Sequence, residues 1–304
     1  AEARLLGEEG HEKWTSKIIS SPYLDEVLEK LQKECGNKDV RGDLLKISLG
    51  EKKSSASFTP WEQVVTSMLT GDFFGADRID YLLRDATSTG LAYGLFDYHQ
   101  LIETLKIIRS NDKKKPLTLG VKLSGIEACE ALLLSRYYMH KRLYQYPKVK
   151  AYSLHLARFM EIAYSDLGND LDRYIGTTDN EVLTELNLAS QDVHHQGHFD
   201  AKCLYLRDER FRAVPFTSFL SEKAREAIEK KYSIAKDEIE WEIDKPSTKK
   251  SAFSFPVLLE DGTVDTGDNC SDLSIPSGDR HWVYVSPQYL SLIHISEPTL
   301  SLIH

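Results

Sequence analysis

The chain has 304 residues, of which 41% are hydrophobic and 28% charged, and its formal net charge is −9. This much apolar material can bury a sizeable core, so the composition excludes wholesale disorder. The acidic balance argues against a nucleic-acid backbone as the main partner, because neutralising its phosphates requires a basic surface. A small phosphorylated ligand is still compatible, since it needs only a few local cations.

Cysteine usage and hydropathy indicate the compartment. The chain contains no CxxC pair, and its cysteines are scattered, which favours reduced thiols over a disulfide or zinc framework. They are Cys35, Cys129, Cys203 and Cys270. No secretory signal peptide opens the sequence, and no apolar run is long enough to span a bilayer. We therefore expect a cytoplasmic protein that does not contact a membrane, and the first residue, Ala1, fits either trimming or a chain that begins within its gene.

The apolar spacing of residues 1–215 predicts a mostly helical region. The first predicted helix follows Ser21-Pro22 and covers 23–34. Its apolar residues recur at helical spacing and are Leu24, Val27, Leu28 and Leu31. Two further amphipathic helices are predicted over 61–69 and 77–85, and Gly90 is expected to end the second of them.

Asp97 is predicted to cap the next helix, over 98–108, because Gln100 follows three residues later as in a capping box. The stretch 107–121 predicts a short hairpin that turns near Asn111-Asp112. A long helix over 124–146 follows.

Another helix is predicted over 150–167. Thr178 and Glu181 then predict a second capping box, which opens a further helix.

The pattern changes after Pro215. A helix over 221–233 is followed by the alternating strand Glu240–Asp244, a strand pair that turns at Asp261-Gly262, and a strand from Trp282. We therefore predict two domains, a helical core over 1–215 and a small α+β domain over 216–289.

The last residues contain a short perfect repeat, because LSLIH occurs at 290–294 and again at 300–304. An amphipathic tail would be the ordinary explanation. LSLIHISEPT also resembles one reading frame of a transposase adapter used in sequencing libraries, so we hypothesise that 290–304 is not native protein.

The segment 77–85 reads DRIDYLLRD. On a helix its polar residues Asp77, Tyr81, Arg84 and Asp85 fall near one face. Burying such a face is costly unless its groups bind each other, a metal or a ligand. The alternative is a solvated, salt-bridged helix surface, which is common in charge-rich helices.

A second polar set, Arg136, His140 and Tyr144, recurs every four residues on the long predicted helix, with Gln145 beside it. Arginine binds phosphate oxygens in a bidentate manner, and Tyr and Gln can contact a sugar or a base edge. An ordinary polar stripe would have the same spacing.

His11 lies near a predicted helix start. A lone histidine in this position is weak evidence for a functional site by itself.

A third pattern, HHxxH, lies in a polar, loop-like stretch without a carboxylate or cysteine at ligand spacing, so we do not interpret it as a metal site. It is formed by His194, His195 and His198.

Three segments taken in order resemble the signatures of a known family: GHEKWT, ADRIDYLLRDATSTGLAYGLFD and SRYYMHKRLYQYPKVKAY. They are similar to HD-superfamily phosphohydrolases, and in particular to deoxynucleoside triphosphate triphosphohydrolases of bacteria and mammals. ADRIDYLLRD is the most specific of them. The resemblance runs from about His11 to Val214 and includes RDERFRAV, which is similar to the family's later helices. The region 216–289 is similar in outline to the C-terminal domain of the bacterial members.

The resemblance implies a mainly α fold, an HD-domain helical core with a small C-terminal α+β domain. It implies that Asp77 is the final Asp of a metal site, and that His11 assists phosphoester cleavage as a general acid or electrostatic stabiliser. Arg78 and Arg136 match residues that contact phosphate. The residues that match positions lining the sugar and base are Tyr81, Asp85, Tyr144 and Gln145.

The family's metal site takes a His, an adjacent His-Asp pair and the late Asp, and it would hold divalent Mg, Mn, Fe or Zn. No His-Asp dipeptide occurs in this sequence, and only ten residues precede His11. One carboxylate cannot hold a catalytic transition metal. We therefore expect this chain to be an inactive fragment whose parent gene encodes an active enzyme.

The leading interpretation is a metal-dependent phosphohydrolase that converts a dNTP to deoxynucleoside and triphosphate. Hydrolysis of another phosphorylated nucleotide is the alternative within the enzymes, because the superfamily is broad. A non-catalytic, nucleotide-binding regulatory protein would keep Arg136 and Tyr144 and lack the His-Asp pair. The expected ligand is a deoxynucleotide or another phosphorylated small molecule, and the resemblance implies a homo-oligomer.

Overall fold

The structure, a computed structural model, describes most of the chain. The described residues are 10–36, 39–51, 53–109, 116–208, 210–216, 221–235, 238–244, 253–276 and 280–291. Helices predominate and two small sheets accompany them, which confirms the predicted mainly α fold with a small α+β part. Backbone contacts divide the chain into two compact units. The first unit comprises the described residues of 9–141 and 247–277, and the second those of 142–246 and from 278 onward. The predicted domain boundary near residue 215 stays a prediction.

The first unit contains seven helices in its described part from residue 10 to 139. They are α1 (Gly10–Ser20), α2 (Asp25–Glu34), α3 (Val40–Leu49), α4 (Pro60–Thr70), α5 (Ala76–Thr89), α6 (Tyr98–Thr104) and α7 (Ile126–Met139). A 3-10 turn, Pro22–Leu24, leads into α2. The predicted helices over 23–34, 61–69 and 77–85 are therefore confirmed, and α3 is an element that the sequence analysis did not predict.

Local capping explains where these helices begin and end. The side chain of Asp39 accepts a hydrogen bond from the Gly42 amide at 2.9 Å and so caps α3. Thr59 and Glu62 form a reciprocal capping box at the start of α4, which satisfies two amides that would otherwise lack partners. Gly90 ends α5 in the left-handed conformation, with φ of 70°, which glycine adopts without steric penalty.

The predicted helix over 98–108 is wrong in its second half. Asp97 caps α6 by accepting from the Gln100 amide at 3.0 Å, but α6 ends at Thr104 and strand β1 (Leu105–Arg109) follows at once. Ile107 is exposed while Ile108 is buried, the alternation that a strand imposes on neighbouring side chains. β-Branched residues also favour the extended backbone.

A four-stranded sheet completes the first unit, with strand order β1-β2-β5-β6. Its other strands are β2 (Leu117–Lys122), β5 (Pro256–Leu258) and β6 (Val264–Thr266), and a short helix, α13 (Gly267–Cys270), follows β6. The antiparallel pairing of β1 with β2 confirms the predicted hairpin, whose turn at Asn111-Asp112 lies outside the described residues. The predicted strand pair around Asp261-Gly262 is likewise confirmed. β2 pairs with β5 in parallel, which the sequence analysis did not predict.

The long predicted helix over 124–146 is divided in the structure. A 3-10 turn, Leu123–Gly125, precedes α7, and the π-helical turn His140–Tyr144 follows it. The next helix, α8 (Pro147–Ala163), ends four residues before the predicted end at 167.

In its described part, the second unit contains α8, a small sheet and four further helices. They are α9 (Leu171–Gly176), α10 (Asp179–Gln191), α11 (His198–Tyr205) and α12 (Glu222–Lys231). The predicted capping box of Thr178 with Glu181 opens α10. The sheet has the order β3-β7-β4, with β3 (Arg212–Phe216), β4 (Ile239–Asp244) and β7 (Arg280–Val285) all antiparallel.

The strand β3 corrects one expectation. The segment RDERFRAV is similar to a helical part of the family, yet its last three residues belong to β3. The strand is favoured because it buries Val214, which packs with Ile228, Ile239 and Val283 in one hydrophobic cluster. Such β-branched residues fit a pleated, half-buried surface.

The chain's end stays untested, because residues 292–304 lie outside the described residues, and the adapter hypothesis for the tail stays a prediction. In the described part of the chain, no helix combines the length and the apolar character needed to cross a membrane.

Candidate anion-binding site

The site is built around a tight turn between α4 and α5. Gly71 follows α4 directly, and a Cβ at this position would lie 2.1 Å from the carbonyl oxygen of Ser67. Only glycine therefore allows the chain to turn this sharply after the helix. The turn places Asp72 close to the first residues of α5, which carry the ADRIDYLLRD motif.

Helix α5 buries Leu82 and Ala86 in the core of the first unit. Of its predicted site residues, Asp77 is exposed, whereas Arg78, Tyr81 and Asp85 are half-buried. Arg84 does not join them, because its guanidinium lies 3.2 Å from the exposed carboxylate of Asp80. This exposed ion pair fits the alternative of a solvated, salt-bridged helix surface at Arg84.

Two arginines from different helices meet at one backbone oxygen. Arg78 of α5 donates from Nη1 to the carbonyl oxygen of Asp72 at 2.5 Å, and Arg136 of α7 donates from Nη1 to the same oxygen at 3.2 Å. The Nη2 atom of Arg78 also lies 3.3 Å from Oδ1 of the Asp72 carboxylate. The structure thus brings together the two residues that the sequence analysis predicted to contact phosphate.

The two guanidiniums lie close enough for their like charges to repel each other. Burial lowers the pKa of Arg136, and the neighbouring charge of Arg78 lowers it further. The Nε atom of Arg136 is buried and has no hydrogen-bond partner among the described residues. A buried donor without a partner is unfavourable, so this guanidinium still has hydrogen-bonding capacity that an anion would satisfy.

His140 lies next to the two arginines, one turn beyond Arg136 on the π-helical turn. Burial lowers its pKa to about 4, and the charges of Arg136 and Arg78 contribute to the shift. The imidazole is therefore neutral near pH 7. The sequence analysis named His140 as a member of the polar set with Arg136 and Tyr144 and gave it no role of its own.

A cavity of about 900 Å³ lies beside the arginine pair in the first unit. Its charged lining residues are Glu51, Lys53, Asp72, Asp77, Arg78 and Asp80. Lys53 and Arg78 are the cations among them, so Arg78 places one guanidinium of the pair at the cavity wall.

The described residues do not fit a complete metal centre. Asp77, the carboxylate matched to the family's final metal ligand, lines the cavity, but no three His, Cys, Asp or Glu side chains in the described part of the chain are placed to hold a metal ion. A catalytic transition metal requires about three protein ligands. Among the described residues, the chemistry of this donor set supports anion binding by arginine.

Three predicted site residues stay untested. His11 is in α1, and its side chain lies outside the described residues. Tyr144 and Gln145 belong to the second unit, and both are half-buried. Their predicted roles stay predictions.

The HHxxH histidines use ring nitrogens for contacts within the second unit. His198 donates from Nδ1 to the carbonyl oxygen of Ala189 at 2.9 Å, and Nδ1 of His195 accepts from the Gly197 amide at 3.0 Å. These bonds hold the turn between α10 and α11.

A buried histidine of the second unit was missed by the sequence analysis. His155 is fully buried; its Nδ1 lies 2.8 Å from Oδ1 of Asp200, and its Nε2 accepts from the Arg210 amide at 3.2 Å. Because Nε2 accepts, Nδ1 carries the proton and donates to the carboxylate. Both nitrogens are occupied, so this pair has a structural role in joining α8, α11 and the start of β3.

Comparisons with known proteins place the chain among uncharacterized relatives. No protein-family model matches it. The uncharacterized protein MJ1154 of Methanocaldococcus jannaschii is 39% identical over 83 residues, which is 27% of this chain and 18% of that protein. The uncharacterized protein YwfO of Bacillus subtilis is 29% identical over 164 residues, 53% of this chain and 36% of that protein. The chain thus matches little more than a third of the length of these curated relatives at most.

Two solved structures share the fold. A hypothetical protein from Aquifex aeolicus has a TM-score of 0.73 and 24% identity, covering 96% of this chain and 73% of its own. A phosphohydrolase from Bacteroides thetaiotaomicron, BT4208, has a TM-score of 0.62 and 18% identity, covering 86% of this chain and 70% of its own. The chain therefore has the fold of a protein that is named a phosphohydrolase.

Proposed function

We propose that this chain carries the nucleotide-binding part of an HD-type phosphohydrolase, and that the whole enzyme hydrolyses a dNTP to deoxynucleoside and triphosphate. The observation that carries the proposal is the convergence of Arg78 and Arg136 on the carbonyl oxygen of Asp72, next to a large cavity. The fold shared with BT4208 supports it at the level of architecture. We propose that the whole protein is a cytoplasmic enzyme. The family resemblance further implies that it forms a homo-oligomer.

The pair of guanidiniums favours a polyphosphate as the ligand. Each guanidinium can bind phosphate oxygens through two parallel hydrogen bonds, and two guanidiniums match an anion of more than one charge. The buried Nε of Arg136 would gain a partner when that anion binds. His140, which is neutral near pH 7 because of its low pKa, would add a hydrogen bond without adding charge.

The nucleoside would extend along α5 from the phosphates. Tyr81 and Asp85 follow Arg78 by about one and two helical turns, so they lie on the same side of the helix. Their half-buried phenol and carboxylate are suited to hydrogen bonds with sugar hydroxyls. We propose that Tyr144 and Gln145 contact the base.

The incomplete donor set bears on turnover. Asp77 is the metal ligand that the family resemblance assigns within this chain, and the described residues offer no cluster of three ligands around it. We therefore propose that the 304-residue chain by itself binds the nucleotide without hydrolysing it. The same observation favours, as a second candidate, a regulatory protein that binds nucleotides without catalysis.

Binding and hydrolysis are measured separately to test the proposal. The wild-type chain, Arg78→Gln and Arg136→Gln are titrated calorimetrically with a panel of deoxynucleotides and ribonucleotides. Release of nucleoside and triphosphate is followed separately with Mg²⁺ or Mn²⁺. Because a charged hydrogen bond contributes about 1.5–3 kcal/mol, each variant is expected to lose about tenfold or more in affinity. Arg84→Gln is the matched control, since it removes the same charge from the same helix but outside the site.

The outcomes separate the alternatives. Equal affinity of wild type, Arg78→Gln and Arg136→Gln would refute the anion site. Metal-dependent release of nucleoside and triphosphate by the 304-residue chain would refute its proposed inactivity. A preference for ribonucleotides would replace the dNTP by another phosphorylated nucleotide. Binding without turnover in the product of the complete gene would favour the regulatory protein.

A further inference from the structure

Asp72 contacts the arginine pair through two different groups. Its backbone carbonyl oxygen accepts from Nη1 of Arg78 at 2.5 Å and from Nη1 of Arg136 at 3.2 Å. Its carboxylate lies 3.3 Å from Nη2 of Arg78, with side-chain exposures of 39% for Asp72 and 24% for Arg78. The carbonyl contacts do not depend on the side chain at position 72, whereas the ion pair does.

We propose that Asp72 is a regulatory and positioning residue of the anion site. Its carbonyl holds the two guanidiniums together, while its carboxylate occupies on Arg78 the place that a phosphate oxygen of the ligand would take. Asp72 is thus an internal competitor for condensed phosphate, and this inference rests on the proposed nucleotide-binding function.

The competition follows from the chemistry of the two anions. A carboxylate and a phosphate both present paired oxygens to the outer edge of a guanidinium, so they use the same donors. Arg78 already commits Nη1 to the carbonyl, so Nη2, the nitrogen nearest the carboxylate, is the donor for which both anions compete. The carboxylate is partly exposed, so it can turn toward solvent when phosphate arrives and the exchange needs no backbone movement.

The repulsion between the carboxylate and an incoming phosphate sets the expected effect. Two unit charges about 4 Å apart in a solvent-exposed setting change an equilibrium by about five-fold. Removing the charge of Asp72 while retaining its carbonyl is therefore expected to tighten phosphate binding by about this factor.

The experiment titrates the 304-residue chain with inorganic tripolyphosphate in metal-free buffer by calorimetry. Asp72→Asn keeps the shape and the carbonyl but removes the charge, and it is expected to bind about five-fold more tightly than wild type. Asp72→Glu keeps the charge and is expected to bind as wild type or more weakly. Asp80→Asn is the matched control, because it neutralises a cavity carboxylate that pairs with Arg84, and its affinity is expected to change less than about two-fold.

Each outcome decides the inference. Asp72→Asn affinity equal to or weaker than that of wild type overturns the competition, and so does an equal gain in Asp80→Asn, which would be a general charge effect. If wild type binds tripolyphosphate and Arg136→Gln does not, the anion site stands whatever Asp72→Asn shows. If none of these proteins binds tripolyphosphate, the proposed function and the inference both fail.

Discussion

Replacement of Arg136 by Met is expected to weaken anion binding without weakening the fold. The side chain makes one hydrogen bond to the Asp72 carbonyl, at 3.2 Å, while its Nε is buried without a described partner. Arg78 lies close enough to lower its pKa. Met retains an apolar stem but has neither the charge nor the donors of arginine. Arg136→Met therefore measures what the guanidinium contributes to stability through its charge and its hydrogen bonds.

The opposing contributions are of similar size. Losing a hydrogen bond from a charged donor costs about 1.5–3 kcal/mol, and the 3.2 Å length places this one at the lower end. Removing a buried, unpaired donor returns about 1–3 kcal/mol, and removing the repulsion with Arg78 returns about 1 kcal/mol more. The free energy of unfolding is therefore expected to rise by about 0.5–2.5 kcal/mol.

Arg158 is the matched control in the second unit. Its side chain is 16% exposed and lies 3.4 Å from Glu240, and its guanidinium stacks over the Phe211 ring at 4.7 Å. Arg158→Met loses an ion pair and a cation–π contact, so it is expected to lower the free energy of unfolding by about 1–3 kcal/mol. Urea denaturation of both variants measures the difference. A loss of stability in Arg136→Met as large as in Arg158→Met would refute the reasoning.

Two further predictions concern His140 and Gly94. The pKa of His140 is about 4 in the fold against an ordinary value of 6.5, so the neutral form stabilises the fold fully above pH 6.5 and this stabilisation is lost as the pH falls toward 4. Urea denaturation at several pH values is expected to show a flatter acid dependence for His140→Gln, and identical profiles would contradict this. A Cβ on Gly94 would lie 2.5 Å from the Cβ of Ala86 and 2.8 Å from the carbonyl oxygen of Leu82, so Gly94→Ala is expected to lower the free energy of unfolding by about 1–3 kcal/mol. Gly176→Ala is the control, because nothing lies within 4 Å of a Cβ at that position. Equal stability of the two variants would contradict the predicted clash.

The helices were predictable where local signals agree. α5 has regular apolar spacing and a left-handed glycine at its end, and α10 has a capping box, so spacing and end signals both indicate their positions. The second half of the predicted helix over 98–108 failed because the apolar residues of 105–108 fit a helix and a strand equally well. Pairing with β2 decided between them, and that contact is not local.

The parallel pairing of β2 with β5 was beyond local sequence signals for the same reason. The two strands are far apart in the chain, and β5 is only three residues long. Packing next to β5 helps to hold this strand in the first unit, because Phe255, the residue before it, contacts Phe74 with ring centroids 5.1 Å apart. A short apolar run cannot reveal which distant strand it will join.

The two arginines of the candidate site were predictable from the sequence, but the backbone acceptor that they share was not. Arg78 and Arg136 were found from their residue types and from the family resemblance, but 58 positions separate them, and no spacing rule shows that they share an acceptor. That acceptor is a backbone carbonyl, which every residue possesses, so no pattern of side chains marks it. Asp72 is therefore visible only once the turn after Gly71 is known. Because the shared acceptor is a backbone carbonyl, a substitution at position 72 removes the carboxylate and leaves the group that holds both arginines. The two roles of Asp72 can therefore be tested separately.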